Sequence, residues 1–128
     1  IEKRAGGTYS AVGPLADLSM AEMLYGLRAV VSNDITFTWV DQSFLEQNDV
    51  APWSEMTAWM PSGGKFDGFG SFENKKAVTA GLAYRTLADT ALATFEWWNG
   101  LPDERKKQPK AGLDAQKEKI VIKSWHSR

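Results

Sequence analysis

Few side chains in this chain stand at spacings that do chemistry on their own. His126 is the single imidazole and sits beside the C-terminal residues Ser127 and Arg128, so it reads as an exposed histidine at a helix end. With one histidine and no cysteine, a zinc centre is not expected and a thiolate metal site is excluded. Tyr9, Tyr25 and Tyr84 have Gly13, Ala29 and Ala88 four residues on, so none forms a Tyr-x-x-x-Lys pair in which lysine lowers the tyrosine pKa. Gly63-Gly64 and Gly68-Phe69-Gly70 fall short of the GxGxxG and GxxxxGK[ST] spacings of a phosphate loop. No serine stands in a G-x-S-x-G elbow. Glu55, Asp67 and Glu73 stand alone and are expected on solvated surface. No catalytic, cofactor-binding or metal-binding residue is therefore assigned.

The aromatic residues remain. Six tryptophans in one small domain are more than its core is expected to enclose, because tryptophan is large and seldom completely buried. Trp53, Met56 and Trp59 lie in the least regular stretch of the chain, just before Phe66 and Phe69. Apolar pockets with a few polar groups are where small ligands bind. These five side chains form the candidate substrate-binding set. The competing reading is that they staple a long loop to the core. Trp98 and Trp125 stand at core spacing on helices and read as packing residues.

The elements that must position this set alternate in type. At 128 residues and 43% hydrophobic, the chain suits one domain, residues 1–128, burying roughly two thirds of its unfolded surface. Thr8 to Val12 is a short β-capable run stopped by Gly13-Pro14. Ser19 and Glu22 then make a capping box for a helix whose Met20, Met23, Leu24, Leu27, Val30 and Val31 share a face, broken at Asn33-Asp34. Ile35 to Val40 alternates as a strand, with Ile35, Phe37 and Trp39 on the buried side. Asp41 can cap a short helix through Phe44 and Leu45. Pro52 suits the first turn of another through Trp53, Met56 and Met60, ended by Pro61 to Gly64. Lys65 to Phe72 reads as a loop entering a strand, and Asn74 as the cap of a helix ending at Gly81. A short apolar strand follows, then a helix capped by Thr86 and Asp89 that carries Leu92, Phe95 and Trp98. Residues 101–113 form a polar connector to a last helix, started by Asp114, on which Ile120, Val121 and Trp125 share a face. Short strands alternating with helices predict a small α/β lobe.

Charge narrows the partners. Fifteen Lys and Arg against sixteen Asp and Glu leave no basic excess for a phosphate backbone, so nucleic acid is not expected as a partner. No apolar run approaches the ~18 residues of a membrane helix, and IEKRAGGTYS lacks the apolar core of a signal peptide. The absence of cysteine fits a cytoplasmic protein.

Five segments taken together carry a resemblance. GTYSAVGP, LSMAEMLYGLRAV, FTWVDQSFLEQNDVAPWSEMTAWMP, SFENKKAVTAGLAYRTLADTALATFEWW and GLDAQKEKIVIKSWHSR, in that order, resemble the C-terminal half of an NAD-dependent epimerase/dehydratase, an extended short-chain dehydrogenase/reductase. The resemblance covers nearly the whole chain. It implies a substrate-binding lobe that closes over a small-molecule substrate, while NAD or NADP and the Tyr/Lys pair belong to a nucleotide-binding domain in front of it. This lobe would then shape the cleft without catalysing alone, and without that domain its apolar surface would allow self-association. Glu73-Asn74-Lys75-Lys76-Ala77 is similar to the family's acidic-x-Ser-Lys/Arg-Ala helix start, with Lys75 where serine is usual. Gly63 to Gly70 lacks the arginine with which sugar-nucleotide members hold a diphosphate, which points to a smaller or more apolar substrate. The alternative function is a ligand-binding or protein-interaction module without enzymatic activity.

Overall fold

The computed structural model describes residues 6–32 and 34–128. Among them six α-helices form: α1 (Met20–Val31), α2 (Gln42–Gln47), α3 (Lys75–Thr79), α4 (Leu87–Asn99), α5 (Asp103–Lys106) and α6 (Ala115–His126), with a 3-10 turn at Gly64–Phe66. The chain divides into two compact units, one of Ile1–Asn33 with Gly68–Trp97 and the other of Asp34–Asp67 with Trp98–Arg128.

In the first unit, local signals start the helices. The Ser19 hydroxyl accepts the Glu22 N–H at 3.2 Å, while the Glu22 carboxylate accepts the Ser19 N–H at 2.9 Å, completing the capping box. The Ser19 hydroxyl, which donates to the same carboxylate at 2.6 Å, and then the Ser19 N–H hold the Glu22 carboxyl below its ordinary range. Met20, Met23, Leu24, Leu27, Val30 and Val31 are all half-buried, whereas Glu22, Tyr25 and Ala29 are exposed. The helix stops at Ser32, which takes a left-handed conformation. Asn33, half of the expected breaker, lies outside the described residues. Thr86 caps α4 by accepting the Asp89 N–H at 3.1 Å. A Cβ on Gly26 would stand 2.5 Å from Leu87 Cδ2, so a larger residue there would make the Leu87 side chain at the start of α4 shift. On α4 Leu92 is exposed, while Ala91 is buried.

The second unit has the larger core. Phe44 and Leu45 of α2, Val50 and Val121 of α6 are buried together, with Val40, Met56, Trp59, Leu113 and Trp125 packed against them. Trp125 meets Phe44 edge-on at 5.1 Å, and the Arg128 guanidinium lies 4.6 Å from both rings. Asp114 starts α6 by accepting the N–H groups of Gln116 and Lys117. The connector at 101–113 contains α5, and its Leu113 belongs to the core.

The expected α/β architecture is corrected by this structure. Among the described residues no strand ladder forms, and the single bridge joins Pro52 to Met56. A ladder needs a second backbone to take the carbonyls and N–H groups. In residues 8–14 side chains take three of the carbonyls instead. Thr8 O accepts from Lys76 Nζ at 2.8 Å, Val12 O from Asn74 Nδ2 and Tyr84 Oη, and Pro14 O from Asn74 Nδ2. The amide of Asn74 is thereby used away from α3, which it does not cap. Residues 35–40 likewise lack a strand partner, and Trp39, expected on the buried side, is 50% exposed. The helix expected from Pro52 is a turn, because Trp53 and Ala58 have positive φ angles of 64° and 61°. Ile120 leaves the face of Val121 as well. Adjacent helical residues point about 100° apart, and Ile120 is 67% exposed where Val121 is 5%.

Truncating these two neighbours should separate them. Val121→Ala is expected to cost about 1–2 kcal/mol in urea unfolding, from two buried methyl groups. Ile120→Ala should change stability by less than about 0.5 kcal/mol. Equal losses would place Ile120 in the core.

Candidate functional site

The stretch from Asp49 to Trp59 turns tightly through backbone conformations that side chains rarely adopt. Asp49, Trp53 and Ala58 all have positive φ, at 52°, 64° and 61°. A left-handed conformation costs a non-glycine residue roughly 1–2 kcal/mol, and such residues persist only where their surroundings over-determine them. Here the surroundings are visible. The N–H groups of Glu55 and Met56 both donate to Ala51 O, at 3.2 and 3.1 Å, and the Trp53 N–H donates to Trp59 O at 3.1 Å. From the connector, the Gly112 N–H donates to Ser54 O at 2.9 Å.

The strongest tether is ionic. Lys117 Nζ donates to both carboxylate oxygens of Glu55 at 2.8 Å and to Asp49 O at 2.7 Å. An ammonium has three donors, and these three bonds use them all. Glu55 Oε2 also accepts the Ala51 N–H at 2.7 Å. That backbone bond first, and then the Lys117 ammonium, hold the Glu55 carboxyl below its ordinary value of 4.5. Lys117 reaches this position because the Asp114 cap fixes where α6 begins.

The five candidate residues fall in different settings. Met56 and Trp59 turn inward and pack against Phe44, Leu45, Val50 and Val121. Trp53 is presented outward from the same turn, 58% exposed. Phe66 is half-buried in the 3-10 turn, with Lys65 Nζ 4.9 Å from its ring centroid. Phe69 belongs to the first unit and is 47% exposed. Glu55, expected as solvated surface, is instead half-buried and paired. Sequence reasoning missed both it and Lys117, since no motif links two residues this far apart. The available signal was indirect: Lys117 lies three residues after the Asp114 cap, on a helix that was legible.

The arrangement sets an exposed indole on a pinned turn whose Glu55, two residues on, is paired with Lys117. Among the described residues no three His, Cys, Asp or Glu side chains gather where one metal ion could be held.

Two measurements follow from this geometry. Trp59→Ala should cost about 3 kcal/mol through lost packing, whereas Trp53→Ala should cost less than about 1 kcal/mol. Because the folded-state pKa of Glu55 is depressed, its contribution is present above the unfolded carboxyl value and is lost as pH falls through the lowered folded one. Urea midpoints taken from about pH 7 to about pH 3 should therefore drop more steeply below 4.5 for the parent chain than for Glu55→Gln. Identical pH profiles would contradict the pairing.

Among the described residues no helix is long and apolar enough to cross a membrane. No protein-family model, curated protein or solved structure matches the chain.

Proposed function

We propose that this chain is the substrate-binding part of an NAD(P)-dependent epimerase, dehydratase or reductase. In this reading it covers a small-molecule substrate while a nucleotide-binding domain supplies the nicotinamide. The observation that carries it is the display of large apolar side chains by units whose cores are small. Trp39, Trp53 and Ile120 of the second unit and Leu15, Phe72 and Trp97 of the first are all at least half exposed, and no described side chain is completely buried. Side chains of this size exposed in number are what a surface that closes on another body requires. The order of the five resembling segments supports the same reading. It does not rest on a sheet, which helices and turns replace.

Hydride transfer needs a nicotinamide beside a proton donor, both held outside this chain, so the chain's own contribution is to bind, to select and to exclude water. Trp53 offers an apolar contact, and the loop without arginine at 63–70 suits a substrate that lacks a diphosphate.

The direct test is the reading frame upstream of Ile1. It should encode a strand, a glycine-rich dinucleotide loop and, further on, a Tyr-x-x-x-Lys pair. A stop codon or an unrelated domain there would sink the proposal. The chain alone should show no saturable change in tryptophan fluorescence at micromolar NAD or NADP, because no loop in it has the spacing that presents backbone N–H groups to a pyrophosphate. Saturation would place the cofactor site in these residues.

A further inference from the structure

Helix α4 ends on the one asparagine-glycine step of the sequence, Asn99-Gly100, and both residues are exposed. The three described asparagines differ in what their amides do. Asn48 Nδ2 donates to Phe44 O at 2.9 Å, and Asn74 Nδ2 donates to Val12 O and Pro14 O at 3.0 and 3.1 Å. Among the described residues the Asn99 side chain makes no hydrogen bond. Asn48 and Asn74 are also followed by Asp49 and Lys75, whose side chains crowd the next backbone nitrogen, whereas Gly100 has no Cβ. The helix end leaves that nitrogen open. The Leu101 N–H turns back to Trp98 O at 3.1 Å, and among the described residues the Gly100 N–H has no acceptor. Inside a helix it would be tied to the carbonyl four residues back.

A positive charge faces the same peptide unit. Lys106 Nζ, on α5, donates to Asn99 O at 3.2 Å and lies 3.3 Å from Asp103 Oδ1. Asn99 O and Gly100 N belong to one amide, so loss of the Gly100 proton moves negative charge onto the oxygen that the ammonium already binds. A charge placed in advance favours the state in which the opposite charge develops.

We propose that Asn99-Gly100 is a self-deamidation site of the folded chain, promoted by Lys106. Gly100 N gives its proton to solvent and attacks Asn99 Cγ. The new N–C bond closes a five-membered succinimide as the Cγ–Nδ2 bond breaks, and Nδ2 takes a proton from solvent and leaves as ammonia. Water then opens the ring at either carbonyl, leaving aspartate or isoaspartate at position 99. The balance is one water consumed and one ammonia released. The end of α4 gains a negative charge, and nothing in the step depends on the substrate-binding reading.

The test incubates the full chain for days in mildly alkaline buffer made with heavy-oxygen water, folded or in urea, and maps peptides by mass spectrometry. Asn99 should lose its amide and take up one solvent oxygen, while Asn48 and Asn74 keep theirs. The folded chain should convert no more slowly than the chain in urea. Lys106→Met should slow the folded chain several-fold and leave the rate in urea unchanged, and Lys106→Arg, which keeps the charge, should retain most of the folded rate. An Asn99 that stays intact, or that converts more slowly folded than in urea, would overturn the proposal. So would a folded Lys106→Met chain that converts at the parent rate. Should Lys106→Met fail to fold, Lys106→Gln decides by the same criterion, and failure of both to fold would make Lys106 a structural residue and overturn its promoting role.

Discussion

The second unit depends on one ion pair that ties residues far apart in the chain. Lys117 and Glu55 meet at 2.8 Å on the edge of the core, and the ammonium takes a backbone carbonyl as its third acceptor. An isolated surface pair of this kind contributes little, because solvent screens it and two long side chains must be ordered. This pair differs in what surrounds it. Its carboxylate also accepts a backbone N–H, and its partner stands on a capped helix whose Val121 is buried in the same core. The pair therefore joins the phase of α6 to the path of the turn. Three left-handed residues become tolerable in that turn because the surrounding bonds leave the backbone few alternatives.

Packing explains why such a fixture matters. Six apolar side chains are buried in the described part of the chain, four of them in the second unit. Around them lies a ring of half-buried residues that includes Trp59 and Trp125. A core of this size leaves polar tethers a large share of the work of defining one conformation. The first unit shows the same economy. Asn74, Lys76 and Tyr84 hold the carbonyls of Thr8, Val12 and Pro14, and Lys76 also lies 4.8 Å over the Tyr9 ring. Both units thus use long polar side chains where a larger domain would use a sheet.

What could be read in advance divides along the range of the interaction. The capping pairs Ser19 with Glu22 and Thr86 with Asp89 were legible because donor and acceptor lie three residues apart and depend on nothing else. The apolar face of α1 was legible for the same reason. The strands were not, since alternation at Ile35 to Val40 describes side chains and leaves open whether another backbone is there to pair. The turn after Pro52 was also hidden. Proline fits a helix start and a turn equally, and nothing in the types of Trp53 or Ala58 announces a positive φ. Of the candidate site, the cluster Trp53, Met56 and Trp59 was found from composition and irregularity. Met56 and Trp59 face the core and Trp53 does not, and the Glu55–Lys117 pairing that ties the turn to α6 crosses too much chain to leave a local pattern.

The central claim is that Glu55 and Lys117 act as a single fixture of the second unit. A double-mutant cycle on Glu55→Gln and Lys117→Met, read as urea midpoints at neutral pH, addresses it most directly. The account predicts strong non-additivity, with the double variant unfolding close to the midpoint of Lys117→Met alone. Two independent losses that add in the double variant would contradict it.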